Sequence, residues 1–282
     1  MKSISNSRGE VSDQYRELFS RNLGFITEAE QEKLRRSTVA IAGMGGVGGL
    51  LAERLVRLGI GQLKIIDPED FERSNFNRQF YSSITSLGRN KAEVISEYLR
   101  NINPQADIHY GKNGIKTQED ADRFVHNCNV VVDEMDFGLF KESVFLQRAA
   151  RKGGLFYMFA SAVGFGALIA IFNPDGLTME EYNNLDSNID FNGTDEPNVP
   201  QEIICPVIPS YAGSIPLDIV KEIISGARPA PTNSIGVGLT SILTANEVMN
   251  VLLKKRDVAS APQYTYIDLM DRKFIVGTIR QQ

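Results

Sequence analysis

Hydrophobic positions along the chain follow two different periods. Between residues 12 and 36 apolar residues recur at helical spacing among many charges (Leu18, Phe19 and Leu23, then Ile26, Ala29 and Leu34), which predicts one or two surface helices. Thr27 followed three residues later by Glu30 is a capping-box pattern and predicts a helix start at Glu28. The character then switches to a short β-prone run, Thr38-Val39-Ala40-Ile41-Ala42. Gly43-Met44-Gly45-Gly46-Val47-Gly48-Gly49 and a helical stretch to Leu58 follow at once. Residues 63–67 read as the next strand. A strand, a glycine turn, a helix and a strand ending in an acid form a βαβ unit, which belongs to a parallel sheet. Helix patterns at about 91–101, 118–126 and 140–152 then alternate with strand patterns at 107–110 and 130–133.

From Gly153 to Pro174 no residue is charged, a length that would span a bilayer. Gly164 and Gly166 interrupt it, Ser161 and Asn173 lie inside it, and its halves, 155–163 and 167–172, each have strand length. The expectation is two buried strands joined at Val163-Gly164-Phe165-Gly166 rather than a membrane helix. Residues 175–202 hold eight acids and no Lys or Arg, with Asn, Gly and Pro throughout, and read as a long loop or lid. Helical patterns at 215–225 and 237–255, the second small and apolar on one face, flank a proline-containing loop. Tyr264, Tyr266 and Leu269, then Phe274 and Val276, alternate as one or two strands. The fold class expected is α/β: a Rossmann-like mixed sheet with a parallel nucleotide-binding half, antiparallel strands after it and helices on both faces. The expected organisation is an N-terminal helical arm (1–37), a nucleotide-binding core (38–174), an acidic crossover loop or lid (175–210), and C-terminal helices and strands completing the same domain (211–282).

Composition narrows the function classes. With 42% apolar residues in 282, the chain can bury a sizeable core and is not disordered over most of its length. Thirty Lys and Arg against 35 Asp and Glu leave a net charge of −5, without the clustered cations that a nucleic-acid backbone needs as a main partner. Two cysteines, Cys128 and Cys205, cannot build a disulfide framework or a four-thiolate zinc site and suit a reducing compartment. The polar start of the chain lacks the apolar core of a signal peptide, so a cytoplasmic location is expected.

The glycine loop satisfies G-x-G-x-x-G as Gly43, Gly45 and Gly48, with Gly46 in addition. Such glycines let the backbone turn tightly against a phosphate while the following helix points its N–H groups at it. Asp67, at the end of the next strand, is placed to bind ribose hydroxyls. These features alone also suit a nicotinamide-dependent oxidoreductase. Asn75, Arg78 and Gln79, then Lys91, do not: a plain dehydrogenase has begun its next helix by then. Arg offers a fork of donors and Lys a movable point charge, the equipment for a triphosphate, although either alone also suits a solvated surface.

The chain resembles the HesA/MoeB/ThiF family of adenylating enzymes, relatives of the ubiquitin-activating enzyme. The family's G-x-G-G-x-G stands as Gly43 to Gly48. Its strand-end acid, followed eight residues later by N-x-x-R-Q, stands as Asp67, then Asn75, Arg78 and Gln79. Its G-x-x-K stands as Gly88 to Lys91, and its trailing I-N-P as Ile102, Asn103 and Pro104. Its T-D-N is altered to Met135-Asp136-Phe137, and Phe19-Ser20-Arg21-Asn22 is similar to its aromatic-x-R-Q. The resemblance implies a homodimer that binds ATP·Mg²⁺ and converts a carboxylate, typically the C-terminal glycine of a small ubiquitin-like or sulfur-carrier protein, into an acyl adenylate. By position, Asp67 would hold the ribose and Asn75, Arg78, Gln79 and Lys91 the phosphates. Asp136 would hold Mg²⁺, and Arg21 would act across the dimer.

The chain lacks the two C-x-x-C pairs with which many relatives hold a structural zinc, so no zinc is expected. Cys205 is the one candidate for the acyl-accepting or sulfur-carrying thiol of many relatives, against a bland reading as a small core-edge residue. Cys128 reads as structural, and His109 and His126 show no paired acid at useful spacing for a general base. A small-molecule, peptide or tRNA-linked carboxylate remains the alternative acceptor. A non-catalytic partner subunit is the further alternative, opposed by Arg78, Lys91 and Asp136.

Overall fold

The computed structural model describes residues 12–136, 138–187, 189–191, 206–224, 227–228 and 230–279. The strands are β1 (Thr38–Ala42), β2 (Gln62–Ile66), β3 (Asp107–Gly111), β4 (Val130–Asp133), β5 (Phe156–Val163), β6 (Gly166–Phe172), β7 (Gln263–Asp268) and β8 (Lys273–Thr278). They form one sheet in the order β3-β2-β1-β4-β5-β6-β7-β8. The first five are parallel to one another, and β5, β6, β7 and β8 pair antiparallel in succession. The mixed sheet expected from the sequence is the one observed.

Helices cover both faces, which is why the parallel strands read as unbroken apolar runs: every residue of β1 and β4 is buried. Alternation along β1 divides the core in two. Val39 and Ile41 pack with α3 (Gly46–Leu58), α4 (Lys91–Ile102) and α9 (Ser234–Leu253). Ala40 and Ala42 face α5 (Gln118–Val125) and α6 (Phe140–Lys152). At the N-terminal side α1 (Asp13–Phe19) precedes α2 (Glu28–Arg36), whose start carries the expected capping box: Glu30 N–H donates to Thr27 Oγ1, and Thr27 N–H donates to Glu30. Tyr15 Oη donates to Gly59 O at 2.6 Å, tying α1 to the left-handed end of α3.

The uncharged stretch 153–174 forms the β5–β6 hairpin, reversed through Gly164 at φ +60°. One helix among the described residues, α9, is long and apolar enough to cross a membrane; 61% of its apolar window is buried inside the fold. It differs from expectation in two ways. It starts at Ser234, three residues early, because Asn233 Oδ1 accepts from the N–H groups of Ile235 and Gly236. It is also buried around most of its circumference rather than on one face, since it packs on α3, β5 and β6 together. The described part of the acidic segment is anchored. Met179 and Tyr182 of α7 (Met179–Tyr182), with Phe191, lie in the second core, and Arg148 Nε bonds Glu180 at 2.7 Å. The short helix α8 spans Leu217–Ile224.

Candidate functional site

The strand order reverses direction at β1, which has β2 on one side and β4 on the other. The carboxyl ends of these strands therefore open the crevice where ligands of such sheets bind. The glycine loop fills its floor. Gly43, at φ +91°, sits so close to β4 that a Cβ would lie 2.3 Å from Glu134 O, and a Cβ on Gly48 would lie 1.9 Å from Gly43 O. Those two glycines let the loop fold onto itself and onto β4. Gly46 abuts Val237 and Arg78 O, joining the start of α3 to the start of α9. Gly45 differs: its nearest such neighbour is Gln79 Nε2 at 3.7 Å, and it offers the first turn of α3 no side-chain cap. The N–H groups of that turn are left for a ligand anion.

Asp67 is buried and pins the loop. Its Oδ2 accepts from Met44 N–H at 2.6 Å and its Oδ1 from Glu69 N–H at 2.8 Å. Burial pushes its carboxyl above the usual range, against the pull of those donors and of Lys91. A second lone pair on each oxygen leaves capacity for a ribose hydroxyl. Asn90 caps α4, taking Glu93 N–H on Oδ1, while its Nδ2 donates to Asp67 O and Glu69 O. Lys91, next along, is buried and bonds Glu69 Oε2 at 2.6 Å.

A tight turn carries the next three candidates. Asn75 is buried and accepts Glu72 N–H on Oδ1. Gln79 is buried beside Gly45 with its Oε1 unpartnered, an orphan that a bound group would satisfy. Arg78 is half-buried, and its Nη1 donates to Ser74 O and Asn77 Oδ1, leaving Nε and Nη2 as spare donors. Asn77 Nδ2 donates to Thr232 O, which moors the turn to the approach of α9.

At the end of β4, Asp133 is fully buried and accepts from Tyr157 Oη at 2.5 Å and Met135 N–H at 2.9 Å. Asp136, three residues on, is exposed. A single carboxylate fits Mg²⁺, which is commonly held by one or two protein carboxylates and otherwise by phosphate and water. Among the described residues no group of three His, Cys, Asp or Glu is arranged to hold a metal. Sequence reasoning missed Glu134, whose Oε1 is buried without a partner and whose carboxyl is pushed well above its ordinary value by burial and by Asp133. The acidic run from 133 to 136 was the available signal.

A raised carboxyl stabilises the fold only while protonated, so that contribution is complete below the unfolded-state value near 4.3 and is lost as pH climbs through the folded-state value. Glu134→Gln is therefore expected to unfold like the native chain at pH 4 and to be more stable by about 1 kcal/mol or more at pH 8. Urea unfolding of both proteins across that range checks this; a difference independent of pH would contradict it.

The remaining candidates lie apart. Arg21 is exposed in the turn Ser20–Asn22, on the N-terminal side of the fold. Cys205 falls outside the described residues. Cys128 is buried, its thiol pushed up to about 11 by desolvation, as suits a structural residue. The expectation for His109 is corrected: its Nε2 lies 3.0 Å from Asp107 Oδ2, because residues two apart on β3 share a face of the strand. Both are well exposed on an edge strand, and Asp107 opens that strand at the end away from the crevice.

The ThiF family model matches residues 19–281. The tRNA threonylcarbamoyladenosine dehydratase of Bacillus subtilis is 33% identical over 124 residues, which are 44% of this chain and 48% of that protein. Ubiquitin-like modifier-activating enzyme 5 of Caenorhabditis elegans is 39% identical over 97 residues, 34% of this chain and 23% of that one. The match thus spans about half the length of the dehydratase and about a quarter of the activating enzyme. Among solved structures, E. coli MccB with ATP superposes with a TM-score of 0.72 at 20% identity, over 96% of this chain and 74% of its own. PaaA superposes with a TM-score of 0.71 at 16% identity, over 99% and 78%. At those identities the two share the Rossmann-like fold. With the model matched over nearly the whole chain, this protein belongs to the ThiF family.

Proposed function

We propose that the chain is an ATP-dependent adenylyltransferase that activates a carboxylate as an acyl adenylate and releases pyrophosphate. The observation that carries this reading is the setting of Asp67 between the glycine loop and a buried lysine: it accepts Met44 N–H just before the uncapped first turn of α3, where Gly45 stands open, and it lies in the field of the Lys91 ammonium, whose close partner Glu69 is itself exposed. A nicotinamide cofactor has less use than a triphosphate for a buried lysine beside that turn, and membership of the ThiF family does not favour an oxidoreductase.

In this reading Asp67 receives the ribose, and Asn75, Gln79, Arg78, Lys91 and the turn of Gly43, Gly45, Gly46 and Gly48 receive the phosphates. Attack of the carboxylate oxygen on the α-phosphorus forms one P–O bond and breaks the bond to pyrophosphate, so the residues act by positioning and charge neutralisation. Arg78 brings its two spare donors and Lys91 its ammonium to the departing charge. Asp136 would hold Mg²⁺, which would supply charge neutralisation to the phosphates. Arg21 of a second copy, in a homodimer, completes the site as a cation in trans, and Cys205 is the thiol available for a later acyl transfer. The acceptor class is the C-terminal glycine of a small ubiquitin-like or sulfur-carrier protein in the cytoplasm. The likeness to MccB, solved with N-formylated MccA, supports a peptide carboxylate as the second reading.

Calorimetry with ATP·Mg²⁺ and with NAD tests the reading. ATP·Mg²⁺ is expected to bind in preference to NAD, and Arg78→Ala to weaken it about tenfold, or about 1.4 kcal/mol. Preference for NAD, indifferent to that substitution, would overturn it.

A further inference from the structure

We propose that Glu69 is a latch on Lys91: its carboxylate occupies the ammonium in the free protein, yields it to the arriving polyphosphate and retakes it as pyrophosphate departs, a role that rests on the adenylation reading above. The two partners are mounted differently. The Lys91 side chain is 5% exposed and cannot be hydrated in place of a counter-ion, whereas the Glu69 side chain is 61% exposed with its Oε2 2.6 Å from Nζ. The main chain of Glu69 is held at both ends: its N–H donates to Asp67 Oδ1, and its carbonyl accepts from Lys91 N–H at 2.9 Å and Asn90 Nδ2 at 3.1 Å. Only the side chain is loose, so it can swing into water by rotamer change without moving the loop.

Asp67 lies in the field of Lys91, but burial penalises its charge and its oxygens face the N–H groups of Met44 and Glu69, so the close ion pair is the one with Glu69. Lys91 is also the first residue of α4, where the helix dipole favours negative charge, so carboxylate and phosphate compete for one cationic corner. Two anions on one ammonium repel at such range. Whatever stabilisation the free protein draws from Glu69 is therefore subtracted from ligand affinity.

The test uses Glu69→Gln and Glu69→Asp with two probes, ATP·Mg²⁺ and inorganic pyrophosphate alone, followed by calorimetry and by thermal unfolding of the unliganded proteins. Glu69→Gln is expected to melt lower without ligand, to bind both probes about tenfold or more tightly, and to release pyrophosphate more slowly; Glu69→Asp keeps the charge and stays near the native values. A Glu69→Gln protein that melts lower but binds both probes no better overturns the latch, and leaves the adenylation reading standing if the native chain binds ATP·Mg²⁺. Native and variant proteins that bind neither probe overturn both.

Discussion

Gly48→Ala is expected to cost about 3 kcal/mol or more of folding stability, because its Cβ would sit 1.9 Å from the carbonyl oxygen of Gly43. The obstacle is backbone, so no rotamer relieves it. Relief requires opening the loop between β1 and α3, which pulls Met44 N–H from Asp67 and shifts the first turn of α3. Folding and the proposed phosphate corner are therefore expected to fail together. Gly238→Ala, in α9, is the matched control: a Cβ there meets nothing within 4 Å, and the change should gain roughly 0.5–1 kcal/mol from helix propensity. Urea unfolding midpoints of the two variants decide the point, and shifts of similar size and sign would show that the close approach at Gly48 is not built into the native loop.

Much of the fold follows from period. Thr38 to Ala42 and Val130 to Asp133 are short, apolar and β-branched because both faces of the sheet are covered, and a run of that kind next to a glycine turn has few other uses. The crevice at their ends was legible for the same reason, since loop, acid, arginine and lysine stand at intervals that a parallel sheet gathers at one edge. Period says which face a residue takes, not what lies opposite. The pairing of Lys91 with Glu69 joins positions 22 apart, and nothing in the spacing separates a phosphate-seeking lysine from one already held by an acid. The burial of Glu134 escaped because charged residues at a strand end are ordinarily solvated, and only the approach of Gly43 to its carbonyl shows how closely that end is packed. The contact of His109 with Asp107 was available, since residues two apart on a strand share a face, but the pair stands exposed on an edge strand.

Lys91→Met should separate ligand binding from stability. Methionine keeps most of the apolar stem that packs at the start of α4 and removes the ammonium. The acid left behind, Glu69, is mostly exposed and can be hydrated, so the usual penalty for stranding a buried partner is small here. Unfolding free energy is expected to change by less than about 1 kcal/mol. On the proposed adenylation reading, ATP·Mg²⁺ affinity should fall about a hundredfold, roughly 2.7 kcal/mol, since a charge-assisted bond to phosphate would be lost and Glu69, no longer neutralised, would face the polyphosphate. The double variant Lys91→Met with Glu69→Gln should recover part of that loss, because it removes the repulsion but cannot restore the bond. Calorimetry on the two proteins beside the native chain measures both steps. If Lys91→Met binds ATP·Mg²⁺ within threefold of the native chain, the lysine is a structural cation and the polyphosphate must be held by Arg78 and the turn of α3 without it.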